Sequence, residues 1–376
     1  MKILEICPYS AGGCGVWQRV KQESIELAKR GHEVRVFSSY FEKGTNKIMP
    51  FGDKIGKIKI QRFPAIKLGG ESFMYWNFEK EALKYAPDII IAHNYRHLHT
   101  TRALKIKKIL EKQGKKCKVF LVTHAPFVEG NTTRTKLQTF IVNFYDKFID
   151  PKTINKFDKI ITITKWEMPY LEKLGVKKEK IVYIPNGIPE EFFKQKKAKT
   201  KKDKEVLFLG RIAPVKNLEV LIEAAKLLPN INFSLVGPSE KEYLEKLNCL
   251  MKGLKNIKIY PPIYDLKKKI QLIDEHKIFV LPSRREAMPQ VLLEAMARGK
   301  IVISSDTNGG KEIIENNKNG FLFKIGNAKE LADLIKKNIR GNRGIEKQAE
   351  KDAEQYSWDR LINKLDCLII NEYFNN

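Results

Sequence analysis

The feature that most constrains the fold is an alternation of apolar strands and amphipathic helices that starts at the first residues. Residues 2–7 predict a buried strand, residues 16–30 a helix and residues 33–37 the next strand. Strands that are apolar along their whole length are typical of parallel sheets, whose two faces are covered by helices. The alternation therefore predicts an α/β fold of the doubly wound type. Further strands of this half are predicted at 88–93, 118–124, 159–164 and 180–188.

The same alternation begins again after a cationic segment, residues 194–204, in which seven of eleven residues are lysine. Like charges at this density resist packing, so the segment predicts an exposed connector. We expect two doubly wound domains, residues 1–190 and 191–356, and a C-terminal amphipathic helix near 357–376 that packs back on the first domain. The predicted strands of the second half are 205–210, 231–237, 277–283 and 301–306, and its helices include 217–228 and 291–299.

The composition excludes several classes of protein. Of the 376 residues, 43% are hydrophobic and 30% are charged, which indicates a folded chain. No apolar run reaches the ~18 residues of a membrane span. Because a strand is predicted at the N-terminus, we expect no secretory signal. The five cysteines are scattered and odd in number, which argues against a disulfide framework or a zinc site. We therefore expect a cytoplasmic protein.

The net charge of +26 points to anionic partners, either phosphorylated substrates, an anionic membrane or nucleic acid. Lysines that decorate solvated faces without binding a ligand are an equal alternative. The sequence has no helix-turn-helix pattern, zinc-finger spacing or RNA-binding aromatic strand, so we do not expect nucleic acid.

Two cations follow a predicted strand of the second domain at a place where ligands bind. In doubly wound sheets ligands lie outside the carboxyl ends of the strands, and with two such domains we expect a site in the cleft between them. Arg211 follows the strand 205–210 directly, and Lys216 stands where the next helix begins. Two fixed cations beside a helix N-terminus form an anion site that suits a diphosphate. The alternative is surface charge without a ligand.

The stretch SRREAMPQVLLEAMARGK, residues 283–300, places two acids, Glu286 and Glu294, eight positions apart. Pro289 suits the first helical position because it needs no N–H donor, so the amides of 290–292 are expected to be free for a phosphate. Glu294 then lies about 7–8 Å farther along the helix axis. Carboxylates on both sides of a phosphate are expected to bind hydroxyls. This arrangement predicts a diphosphate with sugars on both sides, which is a nucleotide sugar.

In these motifs the sequence resembles the retaining glycosyltransferases of family 4, which have the two-domain GT-B fold. The resemblance runs over most of the chain. Glu286 and Glu294 fit the EX7E pattern of that family, and Arg211 and Lys216 fit its Arg–x4–Lys pair. The other matching motifs are AGGCG, KRGHEV, DIIIAHN, THAPF, IPNGI, GRIAPVKN and DTNGGKEII.

The resemblance implies a role for each matching residue. Glu286 and the adjacent residues 287–289 resemble the contacts to the transferred sugar, and Glu294 resembles the ligand of the nucleotide ribose. Arg211 and Lys216 resemble the pair that binds the diphosphate. The sequence EAMP replaces the commoner Glu-Gly-Phe-Gly, a tolerated variant that bears on the preference for the sugar. The residues expected to contact the donor are Arg211, Lys216, Glu286, Ala287, Met288, Pro289, Gln290, Val291 and Glu294, with Gly13 and Gly15 of the first domain.

In the first domain, Gly13 and Gly15 resemble glycines that let the backbone approach the donor phosphate or the acceptor. His124 resembles the histidine near the reacting sugar carbon, so the expected catalytic set is His124 with Arg211, Lys216 and Glu286. His93 is expected either to contact the acceptor or to be a buried histidine. Ile91 stands where many relatives have the first histidine of a His-x-His pair.

The resemblance implies a hexosyltransferase of class EC 2.4. It would move a sugar, with retention, from a UDP- or GDP-linked donor to a hydroxyl of a lipid-linked or cell-surface glycan acceptor. The sequence has no Asp-x-Asp pair, so we expect neither a metal nor another cofactor. The alternatives are a catalytically silent nucleotide-sugar-binding protein and a GT-B epimerase.

Two segments of the first domain bear on the acceptor. Residues 102–118 predict a cationic helix and turn, and residues 135–149 predict a helix with one apolar face. The second helix is expected either to pack on the domain core or to contact an anionic membrane from the cytoplasmic side, where a lipid-linked acceptor lies.

Overall fold

The structure is a computed structural model that describes residues 1–45, 47–68, 71–126, 153–194 and 205–375. It divides into two compact units. The first comprises Met1–Asn186 and Trp358–Asn376, and the second comprises Gly187–Ser357. Along the chain, the units meet after residues 186 and 357, four residues before and one residue after the predicted boundaries at 190 and 356. The predicted helix at 135–149, and all but the first residue of the lysine-rich segment 194–204, lie outside the described residues.

The sheet of the first unit has eight strands in the order β10-β9-β8-β7-β1-β2-β4-β3. All neighbours pair in parallel except β3 and β4, which are antiparallel. Strands β5 and β6 form a separate antiparallel hairpin. The strands are β1 Lys2–Tyr9, β2 Glu33–Ser39, β3 Gly52–Ile55, β4 Ile58–Phe63, β5 Ala65–Lys67, β6 Met74–Trp76, β7 Ile89–His93, β8 Lys118–Val122, β9 Lys159–Thr162 and β10 Ile181–Tyr183.

Each helix of the first unit that the structure describes buries at least one apolar side chain, and the first of them also buries charged residues. They are α1 Gly15–Lys29, α2 Glu79–Tyr85, α3 Leu98–Lys112, α4 Met168–Lys173 and the C-terminal helix Trp358–Phe374. The C-terminal helix packs against α1, and the Arg19 guanidinium lies 5.7 Å from the ring centroid of Trp358. Because Trp358, Leu361, Ile362, Leu365 and Ile369 are all buried, this helix is an integral part of the first unit.

The second unit has six parallel strands in the order β13-β12-β11-β14-β15-β16. Its strands are β11 Val206–Leu209, β12 Phe233–Val236, β13 Ile257–Tyr260, β14 Ile278–Leu281, β15 Ile301–Ser305 and β16 Phe321–Phe323. Its helices are α5 Glu219–Leu227, α6 Lys241–Leu250, α7 Leu266–Glu275, α8 Gln290–Ala297, α9 Asn308–Ile313, α10 Ala328–Asn338 and α11 Arg343–Ala353.

Both sheets have the strand order of a Rossmann fold, and this order fixes where a ligand binds. In the second unit the chain runs outward from β11 through β12 to β13, and outward from β14 in the other direction. The loops after β11 and β14 therefore diverge and leave a crevice at their carboxyl ends. In the first unit, β1 and β7 are the corresponding pair of neighbours. The predicted α/β fold with two doubly wound domains is confirmed.

The cationic end of the motif at 283–300 has a structural role. Arg298 is buried and forms a two-pronged ion pair with Asp274, with N···O distances of 2.8 and 2.7 Å. It also donates to the carbonyl oxygens of Phe192 and Lys194. Lys300 donates to the carbonyl oxygen of Asp274 at 2.7 Å. These bonds connect the C-terminal end of α8 to α7 and so fix the position of the helix that carries Glu294.

Candidate functional site

The loop after β11 presents one exposed and one half-buried cation. The side chain of Arg211 is 57% exposed, and its Nη1 donates to Glu240 Oε1 at 2.9 Å. Lys216 ends a short 3-10 turn, Pro214–Lys216, and its side chain is 18% exposed. Both residues thus lie in the crevice loop after the first strand of the Rossmann order, as the sequence predicted.

The loop after β14 brings Glu286 to the same place. Glu286 Oε1 accepts a hydrogen bond from Lys216 Nζ at 2.5 Å and another from Ser283 Oγ at 2.6 Å. The two loops are also joined through their backbones, because the Arg284 amide donates to the Val215 carbonyl at 2.9 Å. The structure therefore brings Lys216, which was predicted to bind the diphosphate, into direct contact with Glu286, which was predicted to bind the sugar. The contact crosses the switch point of the sheet, between β11 and β14. The hydrogen bond from Ser283 was not predicted from the sequence.

Glycines allow these loops to approach one another closely. A Cβ at Gly237 would lie 1.9 Å from the carbonyl oxygen of Gly210. Position 237 therefore needs a glycine, because the backbone of the residue before Arg211 passes close to it. A Cβ at Gly309 would lie 2.7 Å from the Ala287 carbonyl oxygen, and the Gly309 amide donates to the Glu286 carbonyl at 3.0 Å. The first glycine of the pair in DTNGGKEII, Gly309, thus supports the backbone of the EAMP loop.

Helix α8 begins at Gln290, one residue after Pro289, which was predicted at the first helical position. Pro289 is the N-cap with φ −75° and ψ 97°, and Gln290 is the first helical residue. The expectation of three free amides is wrong in one of them, because the Leu292 amide donates to the Pro289 carbonyl at 3.0 Å. Among the described residues, the amides of Gln290 and Val291 have no acceptor. The side chain of Gln290 donates to the Gly187 carbonyl at 3.1 Å.

Glu294 lies on the buried face of α8 and has a cationic partner. Its side chain is 8% exposed, and Lys269 Nζ of α7 lies 2.6 Å from its Oε1. Ala287 is partly exposed and Met288 is buried. Lys269 was not identified from the sequence. Its only signal is its place among the three consecutive lysines 267–269, which do not distinguish one from another.

In the first unit, the glycines that follow β1 differ in their steric surroundings. Gly12 has φ +82°, and a Cβ there would lie 2.7 Å from the Lys43 carbonyl oxygen, so the fold itself requires this glycine. Gly13 and Gly15 are exposed, and a Cβ at either would meet nothing within 4 Å. The fold gives no steric reason for the two glycines to which the sequence assigned a ligand role.

His124 follows β8 in a tightly held turn. His124 and Ala125 both have positive φ, 59° and 53°. The buried Glu167 carboxylate fixes this turn by accepting from Thr123 Oγ1 at 2.5 Å and from the Ala125 amide at 2.6 Å. The same carboxylate accepts from the amides of 163 and 164 at 3.0 Å. Glu167, which sequence reasoning missed, therefore sets the position of the His124 backbone.

The ring of His124 is held by His93. His93 Nδ1 and His124 Nε2 lie 2.9 Å apart, and His93 Nε2 lies 2.7 Å from Glu5 Oε2. The side chain of His93 has no exposed surface. With both ring nitrogens bonded, His93 has no atom left for an acceptor. The expected acceptor contact of His93 is therefore wrong, and the alternative of a buried histidine fits the structure.

A buried ion network continues from this pair. Arg19 Nε donates to Glu23 Oε2 at 2.9 Å, and Arg19 Nη1 donates to the carbonyls of 184 and 185 and to Asn186 Oδ1. Burial raises the pKa of Glu5 to about 8 and that of Glu23 to about 7. Burial also lowers the pKa of His93 to about 3 and holds the pKa of His124 well below its usual range. Both histidines are therefore neutral near pH 7.

This network contains the one group of metal-ligand type within the described ranges. Ligand atoms of Glu5, Glu23 and His93 all lie within 4.8 Å of one another. The guanidinium of Arg19 contacts the same Glu23 carboxylate and supplies the positive charge that a cation would bring. The group therefore forms an ion pair with Arg19. Within the described part of the chain, no helix is long and apolar enough to cross a membrane.

Two family models match consecutive parts of the chain. The model of "Glycosyltransferase Family 4" matches residues 14–192, and that of "Glycosyl transferases group 1" matches residues 189–357. An uncharacterized glycosyltransferase of Methanocaldococcus jannaschii is 25% identical, over 90% of this chain and 91% of its own length. One of Haemophilus influenzae is 28% identical, over 55% of this chain and 60% of its own length.

A further relative carries a named activity. It is the N,N'-diacetylbacillosaminyl-diphospho-undecaprenol alpha-1,3-N-acetylgalactosaminyltransferase of Campylobacter jejuni, which is 29% identical over 59% of this chain and 62% of its own length. The alignment thus spans less than two thirds of that enzyme. Among solved structures, Anabaena HepE in complex with UDP and glucose aligns over 99% of this chain and 100% of its own, with a TM-score of 0.71 and 18% identity. The chain carries both domains of a GT-B glycosyltransferase, a transferase of class EC 2.4.

Proposed function

We propose that the protein transfers a sugar, with retention of the anomeric configuration, from a UDP- or GDP-linked donor to a hydroxyl of a lipid-linked or cell-surface glycan. The observation that carries the proposal is the contact of Lys216 with Glu286 across the switch point of the second sheet. A cation suited to a diphosphate and a carboxylate suited to sugar hydroxyls lie within one hydrogen bond, which is what a nucleotide sugar requires of its site.

The diphosphate is bound by positive groups that are already in place. Arg211 is exposed and Lys216 is half-buried, and the amides of Gln290 and Val291 at the start of α8 have no acceptor among the described residues. Negative charge develops on the diphosphate as the bond to the anomeric carbon breaks. Fixed cations and amides stabilise that charge without reorganising, and this lowers the barrier. These groups take the place of a metal ion in the proposal.

The two acids of the EX7E pattern bind hydroxyls on either side of the diphosphate. Glu286 accepts from Lys216 and Ser283 through one oxygen, Oε1, which leaves Oε2 for the transferred sugar. Glu294 is paired with Lys269, so its charge is balanced and its carboxylate remains an acceptor for the ribose hydroxyls. Met288 and Ala287 shape the sugar side of the same loop. Without these balancing cations, two carboxylates beside a diphosphate would repel the donor.

In the first domain, His124 binds the transferred sugar, and the exposed backbone at Gly13 and Gly15 contacts the donor or the acceptor. Because His124 is neutral near pH 7, it acts as a hydrogen-bonding group and does not carry a charge. Retention follows if the acceptor hydroxyl attacks from the side that the diphosphate leaves and gives its proton to the departing phosphate. Proton NMR of the anomeric signal of the first-formed product distinguishes retention from inversion.

We infer an acceptor at a membrane surface from the charge and the apolar residues of the first domain. Lys105, Lys108 and Lys112 on α3 are exposed. The hairpin of β5 and β6 exposes Ile66 and Tyr75, which are opposite each other, and the exposed Leu68 follows β5. Exposed apolar side chains together with lysines favour peripheral binding to anionic lipid. The acceptor named for the Campylobacter relative is linked to undecaprenol, which supports the same class.

Liposome flotation tests the membrane contact. We expect the protein to float with anionic vesicles at low salt and not with neutral ones. The double variant Ile66→Asp/Leu68→Asp is expected to stay in the bottom fraction, whereas Leu227→Asp, an equally exposed leucine of the second unit, behaves as the wild type. Flotation that does not depend on anionic lipid, or that the double variant retains, contradicts the contact.

Release of nucleoside diphosphate from a panel of UDP- and GDP-linked sugars, in the presence of EDTA, tests the activity itself. We expect one donor to be hydrolysed slowly without an acceptor and faster with lipid extracts, and we expect Glu286→Gln to abolish both. Tight binding without any turnover would instead identify a catalytically silent nucleotide-sugar-binding protein. Conversion of the donor into an epimeric sugar nucleotide would identify an epimerase.

A further inference from the structure

A series of hydrogen-bonded side chains leads from two buried residues of the first unit, Glu5 and His93, to the partly exposed His124. Glu5 Oε2 lies 2.7 Å from His93 Nε2, and His93 Nδ1 lies 2.9 Å from His124 Nε2. Glu5 and His93 have no exposed surface, whereas His124 is partly exposed. Among the described residues, no group bonds to His124 Nδ1. This atom is therefore the one that the ring offers to a ligand.

The imidazole ring of His124 has little freedom to move. The Glu167 carboxylate bonds to the residues on both sides of His124, through Thr123 Oγ1 and the Ala125 amide. His93 holds the far side of the ring, and the centroids of the two imidazoles lie 5.2 Å apart. Because the ring cannot turn without breaking these bonds, only the placement of its single proton can vary. In a neutral imidazole, one nitrogen donates and the other accepts.

The charges of the cluster decide where that proton lies. Arg19 is the one guanidinium of the network and bonds directly to Glu23 at 2.9 Å. A second ionised carboxylate, fully buried beside this balanced pair, would add a charge with no partner, which is strongly unfavourable. Glu5 is therefore the acid that keeps its proton near pH 7. The contact of 2.7 Å between its Oε2 and His93 Nε2 gives the proton an acceptor.

We propose that Glu5 and His93 are positioning residues that hold His124 in the tautomer with its proton on Nδ1. Each hydrogen-bond donor determines the next one. A protonated Glu5 donates to His93 Nε2, so His93 carries its proton on Nδ1 and donates it to His124 Nε2. His124 must then carry its own proton on Nδ1, the atom that is free to meet a ligand. Resting on the proposed function, this makes His124 a neutral hydrogen-bond donor to an oxygen of the transferred sugar.

The inference can be tested without any substrate by nitrogen-15 NMR of the full-length protein with labelled histidine. At pH 6.5 we expect the His124 signals to show a protonated Nδ1 and an unprotonated Nε2. The opposite tautomer would overturn the inference. A proton held between Glu5 and Glu23 would give that result, because Glu5 Oε2 would then accept from His93 Nε2.

Raising the pH to 9 gives a second reading. When Glu5 ionises, its carboxylate accepts from His93, and the proton of His124 is expected to move to Nε2. The groups that face Glu5 are Arg19 and Glu23 of α1, His93 of β7 and Cys7 of its own strand. The isosteric Glu5→Gln variant should lose this pH dependence, because an amide does not titrate in this range. A pH-dependent tautomer that persists in Glu5→Gln contradicts the role of Glu5.

The effect on catalysis separates positioning from folding. A glutamine at position 5 can donate or accept, so we expect a mixture of His124 tautomers and a fall in kcat of about tenfold, below the 10²–10³ of a donor removed outright. The KM for the donor should change less than twofold. The control is Glu26→Gln, a buried glutamate of α1 that pairs with Lys29 and should leave tautomer and kcat unchanged. An unchanged kcat in Glu5→Gln would overturn the inference. The expected spectra without turnover of any sugar nucleotide would overturn only the proposed function.

Discussion

Arg211→Ala separates the catalytic contribution of a cation from its contribution to folding. The Arg211 side chain is 57% exposed and forms an ion pair with Glu240, which is itself 48% exposed. Exposed ion pairs of this kind contribute about 0–1 kcal/mol to stability. We therefore expect the free energy of unfolding of Arg211→Ala to stay within about 1 kcal/mol of the wild type.

The activity should respond far more strongly. If Arg211 stabilises charge on the leaving diphosphate, its removal takes away one preorganised electrostatic contact. Removal of a single contact of this type costs about 10²–10³ in kcat, or about 2.7–4 kcal/mol in the barrier. The assay is the initial rate of nucleoside diphosphate release at saturating donor, and urea unfolding of the same preparations gives the stability.

Lys246→Ala is the matched control for this experiment. The Lys246 side chain is 58% exposed and pairs with Glu219 at 2.7 Å, so it resembles Arg211 in exposure and in having an acidic partner. It lies on α6 and not in a loop at the carboxyl ends of the strands. We expect stability and rate close to the wild type. A rate loss below tenfold for Arg211→Ala and also for Lys216→Ala, or an equal loss for Lys246→Ala, would refute the reasoning.

Three further predictions follow from particular contacts. Glu294→Gln should weaken nucleoside diphosphate binding by at least tenfold in calorimetric titration, because a carboxylate bonds a ribose hydroxyl more strongly than an amide does; unchanged affinity contradicts the ribose role. Gly237→Ala should destabilise the second unit by about 3 kcal/mol or more, since its Cβ would lie 1.9 Å from the Gly210 carbonyl oxygen. Gly344→Ala, whose Cβ would meet Asn342 Oδ1 at an ordinary contact distance of 3.6 Å, should stay within ~0.5 kcal/mol of the wild type in the same urea unfolding experiments. The pKa of Glu5 is raised by burial to about 8, so the folded state keeps a proton that the unfolded state loses above its ordinary pKa near 4.5. Stability from this group therefore falls as pH rises towards 8, and Glu5→Gln should gain on the wild type by up to about 2 kcal/mol between pH 6.5 and 8; a constant difference in urea unfolding across that range would argue against a protonated Glu5.

Much of the fold was predictable because its strands are short, apolar and separated by helices. The predicted strand at 88–93 is β7 Ile89–His93, and the predicted helix at 16–30 is α1 Gly15–Lys29. The strands β3 to β6, within residues 52–76, were not predicted. The residues of these strands are alternately buried and exposed, or mostly exposed, because β3 and the hairpin lie at the surface. The sequence there therefore lacks the continuous apolar runs of the central strands.

Part of the candidate site was likewise predictable from the sequence, and part was not. The strand order of a Rossmann fold is enough to predict that the loops of Lys216 and Glu286 meet, although the two residues are 70 positions apart. The partners of the polar residues were not predictable. Lys269 reaches Glu294 from another helix, and Glu5 reaches His93 from 88 positions away. Such pairs depend on side-chain directions that only the packed structure defines, which is also why the burial of His93 was left open.

The measurement that tests the central claim most directly is the thermal stability of the purified protein with nucleoside diphosphates and nucleotide sugars, in EDTA. A ligand that binds only the folded state adds about 2.7 kcal/mol at 100 times its Kd, which is a readily visible shift. The proposed donor site at Arg211, Lys216, Glu286 and Glu294 predicts a selective shift with UDP- or GDP-linked ligands that is lost in Glu294→Ala. No shift with any nucleotide, or an equal shift in Glu294→Ala, would contradict it.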